Sequence, residues 1–152
     1  MTDSPVITVE KDAVLWVTLN RPERRNPLSS DKIAALSKAI TSAGEDANTR
    51  VIVIRAAGPA FSAGHDLRET RRRDDEGQSD WQVRVDQLLQ DCAAMMTSIL
   101  HTPKPIIACV QGIASAAGCQ LVSACDLAIA SEEATFCTPG VNIGAFCTTP
   151  LV

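Results

Sequence analysis

Two loops rich in small residues are the segments of this sequence best suited to chemistry. One leads from an apolar run through Gly58-Pro59 to Ala63-Gly64, and the other leads from a similar run to Ala116-Ala117-Gly118. Ligands of open α/β folds collect where strands end, and a helix that begins there presents N–H donors supported by the helix dipole. The two loops together indicate a site that holds a polar ligand atom, although small residues also permit tight turns and close packing.

Titratable side chains near the loops are candidates for proton transfer. His65 follows Ala63 by two residues, and the ordinary histidine pKa of about 6.5 suits proton transfer close to neutrality. The alternative for His65 is a surface side chain without a chemical role. Cys119 is expected to pack in the core, unless a helix start lowers its pKa and makes it a nucleophile. Four acids are expected to face solvent or to cap a strand: Glu69, Glu132, Glu133 and Asp126.

The elements that would position these loops alternate between strands and helices. Runs of apolar and β-branched residues predict strands at 6–9, 13–19, 51–54, 105–110 and 126–130. Apolar residues at helical spacing predict helices at 30–44, 85–99 and 117–124. The alternation predicts a parallel sheet with right-handed crossovers. The polar segment from Arg71 to Asp80 is predicted to be a mobile, solvated loop, with a specific anion site as its alternative.

Composition limits the class of protein. The chain has 152 residues, 45% of them hydrophobic, and we predict a single α/β domain over residues 1–152. A balance of 14 basic against 18 acidic residues gives a net charge of −4, which argues against nucleic acid or an anionic membrane as a partner. The sequence has neither a membrane-length apolar run nor a signal pattern, so the cytoplasm is the expected location. The six cysteines include no C-x-x-C pair and are expected to be reduced core residues without a metal.

Four motifs resemble the signatures of one enzyme superfamily. In chain order they are Arg21-Pro22 through Asn26-Pro27-Leu28, Phe61-Ser62-Ala63-Gly64-His65-Asp66-Leu67, Gly112-Ile113-Ala114-Ser115-Ala116-Ala117-Gly118-Cys119-Gln120-Leu121, and Cys125-Asp126-Leu127-Ala128-Ile129-Ala130. They are similar to those of the crotonase, or enoyl-CoA hydratase/isomerase, superfamily, and closest to its enoyl-CoA hydratase domain-containing branch. The resemblance covers nearly the whole chain and implies an α/β fold built as a spiral of ββα units.

The resemblance also implies a site and a ligand. The N–H groups of Ala63 and Ala117 would form an oxyanion hole around the carbonyl of an acyl-CoA thioester and stabilise an enolate. Contacts to coenzyme A would come from Arg24, Ala63, Asp66 and Leu67, with Arg24 facing a phosphate or, as the alternative, solvent. Coenzyme A enters as part of the substrate, so no prosthetic group or metal is expected. Homotrimers or hexamers are expected for the full-length protein.

The sequence departs from the resembling family at two positions and in length. Gln120 and Gly140 stand where the hydratases have glutamates, and neither side chain can act as a general base. Ordinary hydration is therefore not expected, although activity on acyl-CoA esters is. The chain also stops at residues 149–152, earlier than the family, so we predict a truncated form that exposes an apolar face.

Two alternatives remain for the function. The first is a non-catalytic acyl-CoA-binding or assembly subunit, which would keep the pocket without the chemistry. The second is a serine hydrolase, because the segment from Gly112 to Ala116 resembles the nucleophile region of Clp-type peptidases. That alternative requires a histidine and an acid to converge on Ser115, which lies one residue away from the expected position, and His101 has no matching signature.

Overall fold

The computed structural model describes residues 4–144 of the chain, and strands alternate with helices along it. The strands are β1 (Val6–Lys11), β2 (Val14–Leu19), β3 (Val51–Ala56), β4 (Ala60–Ser62), β5 (Ile106–Val110), β6 (Ile113–Ser115), β7 (Leu127–Ala130) and β8 (Thr135–Cys137). The helices are α1 (Ser30–Glu45), α2 (Leu67–Thr70), α3 (Gln78–His101) and α4 (Ala117–Ala124), with 3₁₀ turns at Pro22–Arg24 and Pro139–Ile143. Cys147 and the chain end at 149–152 lie outside the described residues.

The strands form two separate sheets, and from β3 onward successive strands along the chain are added to one sheet and then to the other. The larger sheet has the order β1-β2-β3-β5-β7, in which β1 and β2 form an antiparallel hairpin and the remaining pairs are parallel. The smaller sheet has the order β4-β6-β8 and is parallel. From β3 onward, each successive pair of strands gives its first strand to the larger sheet and its second to the smaller one. This arrangement is the predicted spiral of ββα units.

The core lies between the larger sheet and the helices that cover it. Ile33, Leu36 and Ile40 of α1 are completely buried, as is Met95 of α3. Burying each such side chain contributes roughly 1.5–3 kcal/mol, so the predicted apolar stripes account for most of the packing. Apolar side chains of the last two strands are instead exposed, with Leu127, Ile129 and Phe136 at 60%, 63% and 48%.

Three predictions about the fold need correction. The three short strands of the smaller sheet were not predicted, because three residues are too few to show an alternating pattern. Leu89 of the α3 stripe is exposed rather than buried. Among the described cysteines only Cys92 is fully buried, and burial raises the pKa of its thiol to about 11, while the others are partly buried.

The polar segment between α2 and α3 is anchored rather than free. Arg84 of α3 donates to both carboxylate oxygens of Glu76, each at 2.7 Å, and to the carbonyl oxygen of Arg71 at 3.1 Å. The Trp81 indole N–H donates to the carbonyl oxygen of Thr70 at 2.8 Å. The segment buries little of itself, as its composition predicts, but α3 supplies the hydrogen bonds that hold it.

A lysine occupies the buried face of α1 among apolar side chains. Lys32 has no exposed surface, and its Nζ has no hydrogen-bond partner among the described residues. Burial, followed by the positive charge of Arg21, lowers the pKa of Lys32 from 10.5 to about 8. The folded chain therefore carries a charge at neutral pH that its surroundings disfavour.

Replacing Lys32 by methionine is expected to stabilise the chain. Below pH 8 the lysine is charged in both the folded and the unfolded chain, so its destabilising effect is fully present. As pH rises from about 8 to 10.5 the folded state loses the proton first, and the free energy of unfolding should rise by at most about 3 kcal/mol. Lys32→Met should give a similar gain at pH 7 and remove the pH dependence in denaturant titrations. The exposed Lys38 of the same helix provides the control. Lys38→Met should change neither the free energy of unfolding nor its pH dependence. A less stable Lys32→Met variant would show that Lys32 has a stabilising partner.

Candidate functional site

The two loops selected from the sequence lie in direct contact. A Cβ added to Gly64 would lie 2.9 Å from the carbonyl oxygen of Ser115, 3.0 Å from the Cβ of Ala116 and 3.2 Å from the nitrogen of Ala117. Gly64 also has a φ of +87°, which a side chain would strain. Only glycine therefore allows the Ala63-Gly64 turn to pack on the first residue of α4.

A second close approach, between Gly118 and Ser62, packs the same two loops against each other. A Cβ on Gly118 would lie 2.5 Å from the carbonyl oxygen of Ser62, which is the last residue of β4. Ser62 is fully buried, and its hydroxyl donates to the carbonyl oxygen of Asn26 at 2.8 Å. The Asn26 side chain in turn donates to the carbonyl oxygens of Ala57 and Ala60 at 2.9 and 3.0 Å. These bonds join Asn26 to the segment 57–62, and the close approach of Gly118 packs α4 against the same segment.

The two N–H groups expected to face a ligand differ in their hydrogen bonding. Ala117 is the first residue of α4, and its N–H has no acceptor in the described part of the chain. The N–H of Ala63 donates to the carbonyl oxygen of Arg25 at 2.9 Å. A ligand oxygen at Ala63 would have to share this bond or displace it. Of the two donors, Ala63 therefore already has an acceptor within the chain, and the oxyanion hole stays a prediction.

Arg25 is a contributor to the site that the sequence did not reveal. Arg25 and Asn26 both have left-handed backbones, with φ of 58° and 50°, and this turn aims the Arg25 carbonyl at Ala63. Asparagine often adopts this conformation, so Asn26 was a weak signal for the turn. Nothing in the sequence identified the acceptor itself.

Five of the proposed site residues line one open cleft of ≈ 350 Å³. They are Arg24, Ala63, His65, Asp66 and Leu67. The volume lies near the lower end of the range for small-molecule sites. The structure thus brings together all four residues that the resemblance assigns to coenzyme A, together with the candidate base.

Arg24 and Asp66 form an ion pair within this cleft. Asp66 is buried, and its carboxylate also accepts the N–H of Arg68 at 3.1 Å, which caps α2. Its negative charge is therefore used inside the chain and is not free to contact a ligand. Asp66 acts by positioning the Arg24 guanidinium, whose remaining N–H groups can bind an anion.

His65 is half-buried at the cleft wall. Its Nε2 is buried and has no hydrogen-bond partner among residues 4–144. Burial lowers the pKa of the imidazole, while the charge of Glu69 opposes that shift. The lowered pKa favours the neutral form of the imidazole at pH 7. The side chain is only partly exposed, and its role as a base stays a prediction.

Gln120 and Gly140, which the resemblance places at the positions of the family's glutamates, lie in α4 and in the 3₁₀ turn after β8. The Ala116 N–H donates to the carbonyl oxygen of Cys137 at 2.8 Å, which places the end of β8 beside α4. Gln120 follows Ala116 by four residues, and Gly140 follows Cys137 by three. Each is therefore only a few residues along the chain from one end of the hydrogen bond between Ala116 and Cys137. The local chain path is consistent with a shared site, but neither residue brings a titratable group to it.

The remaining acids have the predicted places with one exception. Glu132 and Glu133 are exposed in the turn before β8. The Asp126 carboxylate accepts the N–H of Ile106 at 2.7 Å and so caps two adjacent strands, as predicted. Glu69 does not simply face solvent, because its carboxylate accepts both the N–H and the hydroxyl of Ser30 at 2.8 Å. It caps the start of α1.

Cys119 is partly buried in α4.

The serine-hydrolase arrangement is not assembled. Ser115 is almost buried, and its hydroxyl oxygen accepts a hydrogen bond from the Cys137 thiol at 3.4 Å. His101 ends α3, and its Nδ1 lies 2.9 Å from the carbonyl oxygen of Thr97. No histidine and acid converge on Ser115 in the part of the chain that the structure covers.

Residues 4–144 lack two further features. No group of three or more His, Cys, Asp or Glu side chains is placed to hold a metal ion there. No helix in this range is long and apolar enough to cross a membrane.

The fold and the paired loops define an α/β protein of the crotonase class, in which a glycine-bearing turn packs on a helix N-terminus. The family model described as enoyl-CoA hydratase/isomerase matches residues 9–150, and the chain belongs to this family. Enoyl-CoA hydratase domain-containing protein 3, mitochondrial, of Danio rerio is 44% identical over 151 residues, which are 99% of this chain and 50% of that protein.

Solved structures of the family superpose closely on the chain. The human enoyl coenzyme A hydratase domain-containing protein 3 has a TM-score of 0.86 at 40% identity, over 96% of this chain and 55% of that one. An enoyl-CoA hydratase of Mycobacterium smegmatis has a TM-score of 0.86 at 41% identity, with the same coverage of 96% and 55%. The chain therefore spans about half the length of the relatives it matches.

Proposed function

We propose that this chain binds an acyl-CoA thioester in the cleft beside Ala63 and polarises its carbonyl toward an enolate. The observation that supports the proposal is the contact of Gly64 with Ala116 and Ala117, because it packs the turn that carries Ala63 against the start of α4, where the Ala117 N–H has no acceptor in the described part of the chain. Membership of the enoyl-CoA hydratase/isomerase family supports an acyl-CoA thioester as the ligand class.

In this proposal the Ala117 N–H is the principal donor to the thioester oxygen. It stands at the start of α4, where the helix dipole favours developing negative charge, and it has no competing acceptor in the described part of the chain. The Ala63 N–H contributes when its bond to the Arg25 carbonyl oxygen is shared. Arg24, held by Asp66, binds a phosphate of coenzyme A.

His65 is the base in this proposal. Its neutral imidazole lines the cleft that Ala63 also lines, and its Nε2 is otherwise unused within the described residues. Removal of a proton from the α-carbon would leave an enolate held by the N–H groups. Water addition has no second acid or base at positions 120 and 140, so proton transfer at the α-carbon is the expected reaction.

Deuterium exchange tests this proposal without assuming a final product. The protein is incubated in D₂O with butyryl-CoA or octanoyl-CoA, and the acyl group is analysed by mass spectrometry. Incorporation of deuterium at the α-carbon is expected. Parallel incubation with trans-2-enoyl-CoAs reports any 3-hydroxyacyl product. Saturable binding without exchange would contradict the catalytic proposal and support the non-catalytic binding subunit, which the loss of both glutamates favours.

Restoring the two glutamates is expected to introduce hydration. The double change Gln120→Glu with Gly140→Glu supplies the missing acid and base, and should raise 3-hydroxyacyl-CoA formation by about 10²-fold or more. The measurement is made in this chain and in a version extended by the C-terminal half of a relative. The single change Gln120→Ala is the control and should give no gain. Intact binding without new hydration would show that the cleft serves different chemistry.

Assembly and location also belong to this proposal. A homotrimer or hexamer is expected for the full-length protein, and light scattering of the extended chain tests it. The Danio rerio relative is named mitochondrial, whereas the cytoplasm is the location expected in the sequence analysis. Fractionation of cells that express the full-length protein distinguishes the two compartments.

A further inference from the structure

A single strained residue separates β6 from α4. β6 ends at Ser115 and α4 begins at Ala117, so Ala116 alone forms the turn. Its φ of 49° and ψ of −121° are unusual for a residue that has a Cβ. Hydrogen bonds hold it on both sides, since its N–H donates to the Cys137 carbonyl oxygen and its carbonyl oxygen accepts the Gln120 N–H at 3.0 Å.

This turn has the parts of a nucleophile elbow. Such an elbow is a sharp strand-to-helix turn with a strained central residue, and its oxyanion hole uses the N–H of the next residue and an N–H from another loop. Here the next residue is Ala117, and the other loop carries Ala63. Small residues stand two positions before and two after the turn, at Ala114 and Gly118, and the Ala116 Cβ lies against the Gly64 turn.

We infer that Ala116 occupies the nucleophile position of this elbow, and that its inert methyl group restricts the site to proton chemistry. A thioester whose oxygen is held at Ala117 would place its carbonyl carbon near the Ala116 side chain. With no hydroxyl or thiol there, the bond between carbon and sulfur stays intact and the enolate can form. The inference rests on the proposed thioester site and adds the residue that excludes acyl transfer.

The neighbouring serine does not fill this role. Ser115 belongs to β6, is almost buried, and is hydrogen-bonded to Cys137 of β8. Ala116 is partly exposed, so one added atom can be accommodated there. A cysteine introduced at position 116 should therefore be acylated, whereas a cysteine introduced at position 115 should not.

Ala116→Cys is expected to convert the site to acyl transfer. The introduced thiolate sulfur attacks the carbonyl carbon of butyryl-CoA and forms a new thioester. The original bond to the coenzyme A sulfur breaks, and coenzyme A leaves as a thiolate that takes up the proton lost by the introduced thiol. Intact mass spectrometry should show one added acyl group, removable by hydroxylamine, and one equivalent of free coenzyme A. Fragment ions assign the modified cysteine against the natural ones.

Two controls keep the outcome decisive. Ser115→Cys places the same thiol one residue earlier and should not be acylated, and Ala116→Gly should keep binding without acylation. Acylation of Ala116→Cys alone supports the inference. A folded Ala116→Cys variant that binds butyryl-CoA but stays unmodified, or equal acylation of Ser115→Cys, overturns it.

A second measurement separates this inference from the proposed function. Iodoacetamide alkylation needs no acyl-CoA, and a thiol at a helix start should react at pH 7 about tenfold faster than the thiol of Ser115→Cys. If no variant binds butyryl-CoA but this difference is found, the proposed function fails while the elbow is supported. If Ala116→Cys is alkylated no faster than Ser115→Cys, the elbow is contradicted, whether or not the variants bind butyryl-CoA.

Discussion

Replacing His65 by asparagine is expected to lower the rate of α-proton exchange on a bound acyl-CoA by about 10²–10³. Asparagine keeps a polar group of similar size at the cleft wall but has no basic nitrogen. The Nε2 of His65 is buried and unpartnered within the described residues, so its removal breaks no hydrogen bond of that nitrogen. The loss should therefore appear in exchange and not in folding.

The pH dependence gives an independent check on His65. Burial lowers its pKa, so the base form already predominates at pH 6.5, the usual histidine pKa. Exchange by the unmodified protein should be flat from about pH 7 upward and fall as pH drops below about 6.5, where the imidazole becomes protonated. His101→Asn is the matched control, because His101 is exposed at the end of α3, and it should leave rate and profile unchanged. An unaltered profile in His65→Asn would remove His65 from the mechanism.

Ala117→Pro is expected to lower exchange by about 10²–10³, because it deletes the principal N–H donor to the oxyanion. Proline is tolerated at the first residue of a helix, where the N–H has no partner in the helix, but it disfavours the φ of 49° and ψ of −121° at Ala116, so the change acts on the turn as well as on the donor. The corresponding change at Ala63 is less clean, because it also breaks the bond to the Arg25 carbonyl oxygen.

A matched proline tests whether the effect is local. Gln78 is the exposed first residue of α3, so Gln78→Pro makes the same change at another helix start. It should leave exchange unaltered. Circular dichroism and thermal denaturation confirm that both variants are folded. Full activity in a folded Ala117→Pro variant would mean that the oxyanion is held elsewhere.

The main elements of the fold were predictable because their patterns are long. The apolar spacing of α1 and α3 and the β-branched run of β3 each extend over enough residues to show a period. Lys32 breaks the apolar pattern of α1, so its burial could not be read from spacing. The strands of the smaller sheet depend on partners far along the chain, as in the pairing of Ala60 with Ile113.

The site was predictable in its parts but not in its contacts. The two small-residue loops could be selected because each follows a buried strand, and the ends of parallel strands meet at one edge. The ion pair of Arg24 with Asp66 spans 42 residues, and no local pattern predicts it. The hydrogen bond that engages Ala63 depends on the left-handed turn at Arg25. The strain at Ala116 was also hidden, because alanine has no preference for that conformation.

The close packing of Gly64 on α4 also limits how this chain can diversify. Any side chain at Gly64 would collide with the backbone of Ser115 and Ala117, so the distance between the Gly64 turn and the start of α4 cannot change by ordinary substitution. Leu67 lines the same cleft and is 66% exposed, so it can change size or polarity at little cost to folding. Substitution at Leu67 can therefore change the rim of the cleft, while the contact between the Gly64 turn and α4 stays constant.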